Sequence, residues 1–282
     1  MPLSPRPGPH SSASLVSSSA LNGPQRVSSP IARWLLILGL SSLSLISPVS
    51  LRSWVLTETG LRRSPLMSAG KPVEMPVQAD LNQDGTSESL DVADGGLALR
   101  SGASILWRSP AEWTVRQAGI TDLNLDGRPE VSLLVWRSFE ALPTDRLLPH
   151  AGRIDSFHDS RGQSCHLILI GWDGQGRLRE LWAGSALADP ITSFTTADLD
   201  QDGRQELLTL EHDYDDPSPA LARDLKVWEW NGFGFTAIAA TPGRLLRLSV
   251  VGGIEGVEIL GQVDIQAMAG VPADGGPRIP GR

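Results

Sequence analysis

Three short acidic segments carry the most definite chemistry in this chain. They are Asp80-Leu81-Asn82-Gln83-Asp84-Gly85-Thr86-Ser87-Glu88, Asp122-Leu123-Asn124-Leu125-Asp126-Gly127-Arg128-Pro129-Glu130 and Asp198-Leu199-Asp200-Gln201-Asp202-Gly203-Arg204-Gln205-Glu206. All fit the pattern Asp-Leu-(Asn/Asp)-x-Asp-Gly-x-x-Glu. Calcium is a hard cation that takes six to eight oxygen ligands, and this spacing supplies them from one curled stretch of chain. Side-chain oxygens at positions 1, 3 and 5 converge, glycine at position 6 permits the bend, and glutamate at position 9 closes the site. The position-7 carbonyls of Thr86, Arg128 and Arg204 complete the set. The expected cofactor is therefore about three calcium ions. The third loop has four acids where the others have three, so it is expected to bind most tightly.

Two rival readings of the loops are weaker. An EF-hand needs a bidentate glutamate at position 12 and flanking helices, and position 12 here is Asp91, Leu133 or Thr209. Acidic turns without metal would bring carboxylates together uncompensated, which like-charge repulsion opposes.

The elements that must position these loops are strands. Each loop leads into an apolar run: Leu90, Val131 to Trp136, and Leu207 to Leu210. From Val73 to about Val263 short apolar segments alternate with Asp/Gly/Asn turns, which is an all-β pattern. The repeated loops resemble those of the FG-GAP/VCBS repeat family, found in integrin-like β-propellers and many bacterial surface proteins. The Trp172-Asp173-Gly174 and Trp230-Asn231-Gly232-Phe233 turns look like the later hairpins of its blades. The resemblance covers about residues 73–243 and implies a structural role for the ions.

The loops begin at residues 80, 122 and 198, spacings of 42 and 76. The first is one blade repeat; the second exceeds it by 34, most of it in the polar insertion Arg137 to Ser164. A smaller insertion runs from Glu211 to Asp224. Leu245 to Val251 and Val257 to Val263 read as two further strands without a metal loop. The expected fold is thus all-β, a small or incomplete propeller-like array of three calcium-loop blades plus a remnant, preceded by one hydrophobic N-terminal helix. A small closed ring, an open array, an oligomer and a subunit completing another protein's propeller all satisfy this count.

Outside the repeats, residues 1–30 are rich in Ser and Pro and read as disordered. Residues 34–51 run for 18 positions without a charge between Arg33 and Arg52. That is the lower edge for a membrane span, so 31–56 is expected to be an uncleaved anchor, with a cleaved signal or a buried helix as alternatives. Residues 57–72 read as a linker, 73–265 as the repeat domain and 266–282 as a disordered tail. The net charge is -8; residues 1–57 hold four arginines and no acid, so the body carries -12. An acidic body repels phosphate backbones and argues against nucleic acid. The single cysteine, Cys165, excludes an internal disulfide framework.

Other candidates are thinner. His150, His158 and His166 recur every eight residues near Asp155 and Asp159, but no close ligand pair accompanies them. The body's tryptophans read mainly as packing residues, and Trp228 and Trp230 must share one strand face. There is no nucleophile elbow, P-loop or dinucleotide fingerprint. The reading is an anchored, extracytoplasmic (periplasmic or cell-surface) calcium-stabilised module, secreted if its N-terminal segment is cleaved, that binds protein or surface glycan through insertions 137–164 and 211–224. The alternative is a calcium-dependent polysaccharide hydrolase or lyase with its acids in those insertions.

Overall fold

The computed structural model describes residues 49–65, 70–140, 156–173, 175–216, 221–253 and 256–264. Regular structure among them is entirely β, in sixteen strands. The first four-stranded meander is β4 (Gln78–Ala79), β5 (Glu88–Ala93), β6 (Gly96–Ser101) and β7 (Ser104–Arg108). The second is β8 (Thr114–Thr121), β9 (Glu130–Ser138), β10 (Gln163–Trp172) and β11 (Leu178–Ala183). The third is β12 (Ile191–Ala197), β13 (Glu206–Glu211), β14 (Ala222–Trp230) and the first half of β15 (Phe235–Gly253).

β15 does not end with its meander. At 19 residues it outruns β14, and its second half pairs with β16 (Gly256–Asp264). Leu245 is the handover residue, opposite Ala222 on one side and Val263 on the other. β16 pairs in turn with β1 (Val49–Thr57), and β1 with β2 (Gly60–Ser64). The short β3 (Pro72–Val73) caps β15 at Val250 and Val251, on the side that β14 has left. The two strands expected as a remnant are therefore completed into a four-stranded group by strands from far upstream.

Three apolar cores alternate with these layers, and strand periodicity decides which side chain enters which. In β9 and β10, Val131, Leu133, Val135, Ile168 and Ile170 face the first meander's Leu97 and Leu99. Their neighbours Leu134, Leu167 and Leu169 face Phe194 and Leu207 of the third. Strands buried on both faces need apolar residues at consecutive positions, which is why these two read as continuous runs. In β13 the same switch sends Leu207 one way and Leu208 and Leu210 the other. There they meet Leu225, Val227, Val250, Ile259 and Trp54.

Trp54 corrects two expected boundaries. The anchor was expected over 31–56 and the linker over 57–72, yet Val49–Thr57 is a strand flanked by two partners, and Gly60–Ser64 is its hairpin mate. Trp54 and Ser53 are 1 % and 2 % exposed while Leu51 is 58 % exposed, and a run of this kind fits a sheet once a distant partner is present. The turn at residues 58–59 closes on Gly60, whose φ of +114° suits glycine. Among the described residues the β structure thus reaches back to Val49, upstream of Val73. The rest of the expected anchor, 31–48, lies outside the described residues, as do 1–30 and 266–282. No helix among the described residues is long and apolar enough to cross a membrane.

Candidate metal centre

The three acidic loops occupy equivalent places, each joining the first and second strands of its meander: β4 to β5, β8 to β9 and β12 to β13. Each curls around its own main chain. The position-1 carboxylates of Asp80, Asp122 and Asp198 accept the N–H groups of Gly85, Gly127 and Gly203 at 2.8, 3.1 and 3.0 Å. Position 3 (Asn82, Asn124, Asp200) accepts from the N–H of position 5 at 2.9, 3.1 and 3.2 Å. Position 5 (Asp84, Asp126, Asp202) accepts from the N–H of Thr86, Arg128 and Arg204 at 2.8, 2.9 and 2.8 Å. The fourth residues Gln83, Leu125 and Gln201 sit at φ of 61°, 58° and 64°, and the glycines at 88°, 78° and 88°. Left-handed backbone at a non-glycine residue costs roughly 1–3 kcal/mol, so these side-chain acceptors hold a curl the chain would not adopt alone.

Position 9 is the first residue of the following strand and is inside the protein. Glu88, Glu130 and Glu206 are 0, 1 and 3 % exposed. Each accepts the N–H of the position-2 leucine, Leu81, Leu123 or Leu199, at 2.9, 2.7 and 2.7 Å. Those leucines explain a repeat position to which spacing alone gives no role. Leu81, Leu123 and Leu199 each plug a different one of the three cores, so every loop is pinned to the layer interface beneath it.

The loops differ in what separates their acids. In the first, the Asn82 amide donates to Asp84 at 3.0 Å and Glu88 at 3.5 Å. In the second, Asn124 donates to Asp126 at 3.3 Å. The third has Asp200 at that position, and oxygens of Asp198, Asp200 and Glu206 lie within 4.8 Å of one another. Asp198 Oδ1 and Glu130 Oε2 are buried without a hydrogen-bond partner. Burial, with the carboxylates of Asp122 and Asp126 adding to it, pushes Glu130 up to about 8. Burial and the acids Asp200, Asp202 and Asp198 push Glu206 up to about 7. Burial and Asp126 likewise raise Asp122. Asp84 is held low by the Thr86 N–H and Asn82 amide. Orphaned buried oxygens among hard oxygen donors, on a bend closed by glycine, suit a cation such as calcium.

The other candidates resolve differently. His166 is 5 % exposed; its Nδ1–H donates to the Gly184 carbonyl at 3.0 Å, and its Nε2 accepts from Ser164 at 2.8 Å. Burial takes it down to about 4, and neither nitrogen has a lone pair left for a metal. His158 packs at a tilt against Phe139; His150 and Asp155 lie outside the described residues. Cys165 is buried, its thiol pushed up to about 12.

The insertion beginning at Glu211 starts inside the protein and then emerges, with Asp213 and Asp215 exposed. Glu211 and His212 are buried, and the Tyr214 hydroxyl donates to the Leu187 carbonyl while accepting the Cys165 N–H. Trp228 and Trp230 do share a face, as strand geometry requires. Trp228 donates to Thr209 and Glu211, and Trp230 stacks edge-on with Trp182 and Phe235.

No family model matches this chain, and no curated protein does. Two solved structures are similar in outline, both crystal structures of BBS1N in complex with ARL6DN, one soaked with lead and one with mercury. Identities are 11 % and 10 %, and TM-scores 0.28 and 0.24. The match covers 71 % and 72 % of this chain, and 66 % and 68 % of those chains. Likeness at that level identifies no family.

Proposed function

We propose that this chain is a calcium-stabilised β-repeat module of the FG-GAP/VCBS kind, anchored on the extracytoplasmic side of a membrane and serving as a binding scaffold. The observation that supports the ions most directly is the shared design of the loops. Three times, a buried glutamate opens a strand beneath a curl of carboxylates, twice with a buried oxygen left unpartnered. Calcium would be held by side-chain oxygens at positions 1, 3, 5 and 9, with the position-7 carbonyls completing the set. It would tie the first strand of each meander to the second, and the meanders would then be the blades of a small propeller-like array. Protein or glycan partners would meet the 137–164 and 211–224 segments, and a second copy of the chain remains a candidate partner. The hydrolase alternative gains nothing from the described carboxylates at a cavity beside the 211–224 segment: Glu211 and Asp189 are both bound to Lys226.

The test is a thermal melt of the protein in calcium and in excess chelator. A ligand at a hundredfold its Kd adds about 2.7 kcal/mol per site, and about 2–4 °C per kcal/mol is usual for a domain of this size. Calcium should therefore raise Tm by about 5–10 °C for each loop filled, with close to three ions bound per chain by calorimetric titration. Coincident melts would remove the metal from the reading.

Asp200→Asn sharpens the test. It gives the third loop the amide that separates acids in the first two, so the chelated protein should gain about 1 kcal/mol. Losing one charged ligand should weaken that loop's calcium affinity about tenfold. A variant that lost stability in chelator would contradict carboxylate repulsion in this loop.

A further inference from the structure

A cavity of about 280 Å3 lies between the second meander and the third, lined by side chains of β10 to β15 and by residues 184–189. Its walls are held in place. The connection bonds to β10 through Gly184 to Leu167 and Leu187 to Cys165, and Tyr214 bonds to Leu187. Most of the lining is apolar and aromatic, with Trp182, Trp228 and Phe235 prominent.

One end is polar. Lys226 Nζ donates to Glu211 Oε2 at 2.6 Å and Asp189 Oδ2 at 3.0 Å. Glu211 is 2 % exposed, and its Oε1 already accepts from Thr209 at 2.6 Å and Trp228 at 3.1 Å. Asp189 Oδ1 faces Arg223 at 3.2 Å. An ammonium has three donors and a carboxylate oxygen two lone pairs. Lys226 therefore keeps one N–H, and Glu211 Oε2 and the Asp189 oxygens each keep one acceptor site. A group that both accepts and donates fits this end, which is what a hydroxyl does.

Charge narrows the ligand further. The two carboxylates there are met by Lys226 and Arg223, so an ion of either sign meets a like charge beside its partner and a neutral group fits. A sugar would bring more hydroxyls than the apolar walls can partner, and unpaired buried hydroxyls are costly. A dry cavity of about 150 Å3 already holds benzene, so this one accommodates a single substituted ring. We propose that the cavity binds a neutral phenol, its hydroxyl bridging Lys226 and the Asp189 or Glu211 carboxylate and its ring among Trp182, Trp228 and Phe235. A free phenol and a tyrosine side chain presented by a peptide share this chemistry.

The experiment is a titration of the full-length protein with 4-methylphenol, 4-methylanisole and N-acetyltyrosinamide, read by calorimetry. 4-Methylphenol should bind, and 4-methylanisole, which keeps the ring and oxygen but cannot donate, should bind about ten- to hundredfold more weakly, as expected for a hydrogen bond to a charged group. N-acetyltyrosinamide binding as tightly as 4-methylphenol assigns the site to tyrosine side chains; its failure beside a positive 4-methylphenol result assigns it to free phenols. Lys226→Met leaves Glu211 buried without its cation and can unfold the region. Ala186→Leu instead fills the cavity while keeping every charged group, and should abolish 4-methylphenol binding. Equal affinity for the phenol and its methyl ether, full binding by the Ala186→Leu protein, or no binding at millimolar concentration would each overturn the proposal.

Discussion

A chain trimmed to residues 73–282 should fail to fold, whereas residues 46–282 should melt cooperatively. Trimming at 73 removes β1 and β2, leaves β16 with a bare edge and takes Trp54 out of the largest core. Burying a tryptophan removes about 150–250 Å2 from water, which at about 25 cal/mol/Å2 is roughly 4–6 kcal/mol. That is a large share of a typical domain stability of about 5–15 kcal/mol. The point variant Trp54→Ala should therefore cost about 3–5 kcal/mol in denaturant melts. Gly261→Ala attacks the same contact from the other side, since a Cβ there would lie 2.8 Å from both the Trp54 ring and the Leu245 side chain. If the trimmed chain matched the longer one in midpoint and slope, the N-terminal strands would be dispensable and the domain boundary wrong.

Glu130→Ala should be the most damaging single change in the acidic loops, at about 3–5 kcal/mol even in chelator. Its Oε1 accepts both the Leu123 N–H and the Thr121 hydroxyl, at 2.7 and 2.9 Å. Each buried donor left unpaired costs about 1–3 kcal/mol, and the emptied volume beside Leu123 adds to that. Glu130→Gln keeps an oxygen for both donors and should stay within about 1 kcal/mol of the parent in chelator. It should nevertheless lose the second loop's share of any calcium stabilisation. The pair of variants thus separates the carboxylate's part in the fold from its part in cation binding. An alanine variant as stable as the parent would show that Glu130 does not organise the loop.

The strands and loops were legible because they are local. Asp, Asn and Gly at fixed offsets define each curl, and the apolar runs after Glu130 and Glu206 are the doubly buried β9 and β13. What was hidden depends on partners far away in sequence. Residues 49–57 overlap the end of an uncharged apolar stretch and run on past Arg52, and only β16, some 200 residues downstream, makes them a strand. The span of β15 was hidden likewise, because Thr241, Pro242 and Gly243 look like a turn yet lie within one continuous strand. At the candidate sites, the described acids that converge as a group are Asp198, Asp200 and Glu206 of the third loop. The inward fold of Glu211 and Tyr214 was illegible, because an acidic, aromatic insertion reads as solvated until Lys226 and the Leu187 carbonyl appear opposite it.

The pairing of β1 with β16 has a mechanical corollary. Val49, where β1 begins, lies opposite Asp264, where β16 ends, so the two ends of this ladder lie side by side. Tension applied across those two residues would load the ladder from one end and open it rung by rung, rather than shear all its hydrogen bonds at once. Unzipping needs far less force than shearing, and it would release Trp54 only after the five pairs from Val49 to Ser53 had parted. In a tethered chain, the first element to yield under load would thus be the closure between the two ends, with the three loop-bearing meanders still standing.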